Sequence, residues 1–492
     1  MRTVSDLTSA AALLGWDQET YMPPLAAQAR AEQIATLNAL AHSMMTDERA
    51  VRLAEYFERE LHSSAEELTI LETRIARVFA RDVRRALKVP EEFVRRKSQV
   101  VVLAQEAWKE ARARASFAKF YNDLRALVEL SLHEAELRGY QGHPYNALVD
   151  LYEPGMTVET LDPLFDRLEQ ETLRILDYVK GLSPASNAAV PRVSSTGQEQ
   201  LLAARTIVEA IGFNFSAGRV DISAHPFCTS LATSDVRLTT RTADDNPISC
   251  LLGLIHEAGH GLYEQGIDPT LERTFARDGA SMGIHESQSL FWENIIARSE
   301  EFWEFALPII ERFIPQFPTM TPTMMFYALN RVEPSLIRIE ADEVTYNLHI
   351  IIRYRIEKEL MAGTLNVAEI PERWNVLVRE LLGLDVPDDA NGCLQDIHWS
   401  LGAFGYFPSY TLGKLYAAMF RSALLKAMPD TFDHVRRGEF AAICQWLKEN
   451  IHHWGRTLCP LELVEQVTGR SLAEKDFLEY VWEKVMRVYP SS

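Results

Sequence analysis

Among the side chains of this 492-residue chain, one group has both the types and the spacing for hydrolytic chemistry. It is His256-Glu257-Ala258-Gly259-His260, set within NPISCLLGLIHEAGHGLYEQG. Asn246 can cap a helix there, Pro247 suits its first position, Ile248, Leu251, Leu252 and Ile255 recur at helical spacing, and Gly266 can end it. At about 100° per residue, His256 and His260 stand one turn apart on one face, where both imidazoles can reach one cation at about 2.0–2.1 Å. Glu257 lies beside that face, placed to take a proton from water. A metzincin-type continuation would need glycine at 263 and histidine at 266; the chain has Tyr263 and Gly266, so a third ligand must come from elsewhere. The segment GIHESQSLFWENIIARS offers Glu286, with His285 and Glu293 as competitors that spacing alone does not separate. Two His and one Glu would leave a fourth position for water.

Further along, QDIHWSLGAFGYFPSYTLG carries His398, Tyr406 and Tyr410, side chains able to donate hydrogen bonds to a carbonyl oxygen as it gains negative charge. Arg237, Arg241 and Arg338 are candidates for a two-pronged grip on a carboxylate. Arg338 also stands four residues before Asp342, the spacing of an ordinary helical ion pair. The DVRLTTR stretch, rich in β-branched residues, could pair its edge with an extended peptide.

These residues need a scaffold, and the composition points to a helical one. Only 23 glycines occur, and long segments rich in Ala, Leu, Glu and Arg repeat apolar residues at three and four. The spacing predicts helices over 27–62, 64–87, 90–139 and 158–181, a surface loop over 182–197, and a small antiparallel sheet at about 219–242. The expected organisation is one body, 1–492, with an N-terminal helical layer, 1–181, and a catalytic helical portion, 198–492. Fifty Lys plus Arg against 69 Asp plus Glu give a net charge of -19, which argues against a nucleic-acid or anionic-membrane partner. Cys228, Cys250, Cys393, Cys444 and Cys459 form no C-x-x-C pair, no stretch of eighteen apolar residues occurs, and acids interrupt the first twenty positions. A cytoplasmic location is the resulting expectation.

The chain resembles the carboxypeptidase Taq family of metallocarboxypeptidases over most of its length, from LLGWDQETYMPP near the N-terminus to FGYFPSYTLG near 410. Between them come HPF at 225–227, DVRLT at 235–239, HEAGH at 256–260, HESQ at 285–288, IRIEAD at 337–342 and GCLQDIHW at 392–399, in that order. The resemblance implies that His256, His260 and Glu286 bind one divalent metal, Zn²⁺ or Co²⁺, and that Glu257 is the catalytic base. His225 of HPF joins the three arginines as a substrate-binding candidate, and His398, Tyr406 and Tyr410 remain catalytic candidates. The fold implied is mainly α, the large helical, grooved body of neurolysin-like metallopeptidases with a small sheet near the active site. Peptide substrates, broad specificity with poor release of proline, and a homodimer are implied in the same way. Relatives usually carry Arg after HESQS, where this chain has Leu290, a departure that leaves the ligands in place. The rival readings are an oligopeptidase with the same metal site that cuts internal bonds, and a helical peptide-binding protein without catalysis.

Overall fold

Helices form where apolar spacing predicts them, and they stop where a short polar side chain or a left-handed residue takes over the backbone. The computed structural model describes residues 1–62 and 68–491. Its contacts gather the chain into two compact units of three stretches each: Met1–Leu87, Ser186–Leu329 and Tyr416–Leu472 in the first, Lys88–Ala185, Asn330–Leu415 and Ala473–Ser492 in the second. Helix predominates, and one three-stranded sheet accompanies it.

In the first unit the expected helix over 27–62 is two, Ala27–Met45 and Glu48–His62. Asp47 divides them, because its carboxylate accepts from the Ala50 N–H (2.7 Å) and so starts a new helix. The helix expected over 64–87 runs Ile70–Leu87, and the start of the expected span lies outside the described residues.

The sheet is made of β1 (Gly218–Ile222), β2 (Cys228–Ala232) and β3 (Asp235–Thr240) in the order β1-β3-β2. The β2–β3 pair is antiparallel as expected, whereas β1 runs parallel to β3. The reason is burial: β3 supplies Val236, Leu238, Thr239 and Thr240, all 0% exposed, and takes the central place although it is last in sequence. The link from β1 to β2 therefore steps over the end of β3, and a tight turn at Thr233-Ser234 brings β3 back between them.

Against this sheet lies the motif helix, Pro247–Gly266, whose first turn is capped by Asn246 accepting from the Ser249 N–H. Two of its glycines, Gly259 and Gly261, face opposite neighbours. A Cβ on Gly261 would lie 2.7 Å from Phe213 and 2.8 Å from Leu238, on the sheet side; one on Gly259 would lie 2.5 Å from the Gln288 carbonyl oxygen and 2.6 Å from Ser289 Cα. The helix crossed at Gly259 is Met282–Leu290, capped by Ser281 and continued by a wide π turn, Phe291–Ile296. Leu290 is buried where the two meet.

In the second unit the helix expected over 90–139 is interrupted, giving Glu91–Ala113 and Tyr121–Arg138. Ala115 adopts a left-handed conformation (φ 48°) between them, which turns Phe117 and Phe120 into the core. The helix expected over 158–181 is Val158–Val179. A later helix, Tyr346–Met361, is buried over most of its length and carries Arg353 and Glu357 into the interior of this unit.

In an exposed helix, Gly→Ala stabilises by about 1 kcal/mol. Gly259→Ala is expected to do the opposite, costing about 1–3 kcal/mol as the added methyl forces two backbones apart. Denaturant unfolding of the variant decides this: equal or greater stability would mean that the crossing has slack.

Candidate metal centre

The crossing brings Glu286 to the two histidines of the motif helix. Glu286 Oε2 lies 3.7 Å from His256 Nε2 and 3.5 Å from His260 Nε2. Donors held at about 2.0–2.1 Å in tetrahedral array stand about 3.3 Å apart, so this spacing suits a divalent cation. Among the described residues no other three His, Cys, Asp or Glu gather donor atoms within 4.8 Å of one another.

The two competitors on the same segment hold the far sides of the imidazoles. Glu293, on the π turn, faces His256 Nδ1 at 2.9 Å and is itself paired with Arg298 at 3.1 Å. A carboxylate only accepts, so Nδ1 carries a proton, and loss of the second proton from Nε2 frees its lone pair for a metal. His285 faces Glu264 through Nε2 (2.8 Å) and His260 Nδ1 through its own Nδ1 (2.6 Å). With His285 accepting at Nδ1, a proton on His260 Nδ1 would likewise leave Nε2 for a metal. Beyond Glu264 stands Arg277 at 3.6 Å, which also donates to Ser230 on β2.

The electrostatics follow from burial and from these partners. Burial works against charge on Glu286, but His256 and the hydrogen bond with His260 outweigh it and hold the carboxyl at about 2. Burial likewise opposes a proton on His256, yet Glu286 and Glu293 raise it to about 10. His260 is pushed down to about 4 by burial. Glu257 is 7% exposed, and burial lifts its carboxyl to about 7, where it can both take and return a proton near neutrality.

Three further candidates stand elsewhere in the first unit. His225 is exposed, and its backbone is fixed because Ser223 Oγ donates to its carbonyl oxygen (2.6 Å). HPF and DVRLT interlock at Thr239, whose Oγ1 accepts from the Phe227 N–H (2.9 Å). Arg237 is bound two-pronged to Asp235 (both contacts 2.9 Å) and lies 4.4 Å from the Trp16 ring of LLGWDQETYMPP. Arg241 is exposed, with no ion pair among the described residues.

His398, Tyr406, Tyr410 and Arg338 belong to the second unit, where they form a cluster of their own. Arg338 does not pair with Asp342. Residues Arg338–Glu340 form a 3₁₀ turn, so positions 338 and 342 are not stacked, and Asp342 instead accepts from the N–H groups of Glu333, Val344 and Thr345. Arg338 binds Asp396 (2.7 Å) and donates to the Tyr346 hydroxyl (2.7 Å). Arg353 binds the same Asp396 at 2.6 Å. His398 Nε2 lies 3.0 Å from the Tyr410 hydroxyl, with Tyr406 stacked alongside, and burial depresses its imidazole to about 4, so it is neutral at pH 7. Sequence reading passed over Arg298, Glu264, Arg353 and Glu357, which sit in or beside helices whose charges look like solvent-facing ones. Asp396 was the easier to find, since it lies within GCLQDIHW.

A family model described as Carboxypeptidase Taq (M32) metallopeptidase matches residues 1–485. Carboxypeptidase 1 of Bacillus subtilis is 36% identical over 492 residues, covering 99% of this chain and 97% of that protein. Thermostable carboxypeptidase 1 of Pyrococcus furiosus is 36% identical over 494 residues, with the same coverage of 99% and 97%. Among solved structures, the M32 carboxypeptidase of Deinococcus radiodurans R1 superposes with a TM-score of 0.94 at 35% identity, covering 100% of this chain and 98% of that one.

A cation on His256 Nε2 displaces the proton that the imidazole otherwise keeps to about pH 10. Affinity for Zn²⁺ should therefore rise by about tenfold per pH unit between pH 7 and 9. Competition titration against a calibrated chelator checks this, and a flat profile would contradict a protonated His256 in the metal-free protein.

Proposed function

The chain belongs to the carboxypeptidase Taq (M32) family of metallopeptidases, and from that membership we propose that it is a zinc-dependent enzyme hydrolysing the C-terminal bond of peptides. The observation that carries the reading is the convergence of His256, His260 and Glu286, with both histidines turned by outer partners so that Nε2 faces the carboxylate. Zn²⁺ bound there supplies the Lewis acidity that polarises a carbonyl and acidifies water, and Co²⁺ suits the same donors.

Glu257 takes the proton from the attacking water and returns it to the leaving amine. His398 is assigned a hydrogen bond to the developing oxyanion, with Tyr406 and Tyr410 as the other donors of that cluster. For the substrate's terminal carboxylate, charge counting favours Arg338. Asp396 alone is ion-paired to both Arg338 and Arg353, whereas Arg237 is matched by Asp235. Broad specificity, poor release of proline and a homodimer complete the reading. So does a cytoplasmic location, which the five free cysteines suit; no described helix is long and apolar enough to cross a membrane.

Glu257→Gln should keep its metal and lose roughly 10²–10⁴-fold in kcat, while Glu286→Gln should lose metal. Metal per chain and kcat, measured together on both variants, separate the roles; the reverse pattern would exchange them.

Amidating a peptide's C-terminus should slow cleavage severely, because the amide no longer offers two anionic oxygens to an arginine. Arg338→Ala should abolish the preference for acid over amide. Mass spectrometry of the products reads both, and internal cuts at equal rate in amidated peptides would replace the carboxypeptidase by an oligopeptidase.

A further inference from the structure

The helix Tyr346–Met361 carries two charged side chains four residues apart, Arg353 and Glu357, both 0% exposed. They reach one stretch of chain on either side of His398. Arg353 donates to Asp396 (2.6 Å) and to Gln395 (2.8 Å), just before it. Glu357 accepts from Trp399 Nε1 (2.8 Å) and from the Gly405 N–H (2.9 Å), just after it, and also from the Tyr145 hydroxyl (2.6 Å).

Gly405 is held from its other side as well. Its φ is 91°, and a Cβ there would lie 2.6 Å from the carbonyl carbon of Leu148, so only glycine fits and the backbone has no room to slide. His398, in contrast, has few polar restraints of its own, its ring packing on Phe407 (centroids 4.5 Å apart) and Tyr406. Its Nε2 meets Tyr410 at 3.0 Å, while its Nδ1 lacks a hydrogen-bond partner and stands 3.9 Å from Asp396. The place of the imidazole is therefore set by the chain around it. Burying a carboxylate opposes folding, and an apolar side chain would fill the same volume without that cost. What the carboxylate adds is geometric: two acceptor oxygens a fixed distance apart, taking three donors from two separate segments.

We propose that Glu357 is a positioning residue for peptide hydrolysis, fixing Trp399 and Gly405 so that His398 and Tyr410 are presented in one orientation. The proposal rests on the reading that His398 assists the reaction. The test is a double-mutant cycle on the metal-loaded full chain, with kcat, KM, metal per chain and thermal unfolding measured for Glu357→Gln, His398→Ala and the pair.

Glu357→Gln removes one acceptor oxygen and keeps the volume. It is expected to lower kcat about tenfold, to leave KM and metal content within about twofold, and to add no further loss in kcat once His398 is alanine. A purely structural role would lower thermal stability and leave kcat in place, which would overturn the proposal. So would an equal loss of kcat in both backgrounds. An unchanged kcat in His398→Ala alone would instead overturn the reading of His398 beneath it. Should Glu357→Gln fail to fold, Trp399→Phe removes one of the three donors and runs the same cycle, with the same outcomes deciding.

Discussion

Where Gly259 passes over Gln288 and Ser289, the motif helix and its neighbour run closer than any larger residue would allow. The geometry of the candidate metal centre descends from that contact. Two imidazoles on one helix can face a carboxylate on another at 3.5–3.7 Å only if the axes approach closely. Gly261 permits the same closeness towards the sheet, so the motif helix is gripped from both sides within a single turn. Gln288 adds a further anchor, since His452 Nε2 lies 2.9 Å from its side-chain oxygen. The π turn that follows carries Glu293 to the far nitrogen of His256.

A chain with net charge -19 has placed several of its carboxylates in the interior, and those around the two histidines are answered by cations. Two relays leave the candidate metal ligands and both end on arginine: His256 to Glu293 to Arg298, and His260 to His285 to Glu264 to Arg277. The guanidinium is well suited to such ends, because it stays charged when buried. In the second unit the same solution recurs with the signs exchanged, two arginines sharing Asp396. Burial outweighs the partners of Glu357, lifting it to about 7, and does the same at Glu257. Glu257 is buried beside the cluster with less compensation, and for that reason its proton affinity rises to the range useful for proton transfer.

Much of this was legible in the sequence for physical reasons. The H-E-x-x-H spacing and the Asn246-Pro247 start define both a helix and a metal-facing side, and the six short motifs pointed to Glu286 among three candidates. Helical periodicity located most elements. What stayed hidden depended on tertiary context. Periodicity continues across Asp47 and Ala115, so the breaks there are invisible until a cap or a left-handed residue is seen. Strand direction in the sheet depends on which strand is buried most. Arg353 and Glu357 within NLHIIIRYRIEKEL read as the wet face of an amphipathic helix, because nothing local shows that both sides of that helix are covered. The glycines of HEAGHG were the one available signal that went unread: paired glycines inside a helix ask for a close neighbour on each face.

The threading of the chain through its two units bears on how the protein is made. The ribosome emits Met1–Leu87 before the other two stretches of its unit, and partners of those helices come late: Phe79 packs on Phe275 at 5.4 Å, and Asp82 pairs with Arg456 at 2.9 Å. At roughly 5–20 residues per second, the N-terminal helices, which cover one another around Ala54, Phe79 and Val83, wait tens of seconds for Phe275 and Arg456. Neither unit exists as a continuous stretch that could be cut out and expressed by itself. A nascent chain arrested before Arg456 would hold the complete HEAGH and HESQ motifs and still lack the residue that closes on Asp82, leaving it a client for chaperones and proteases.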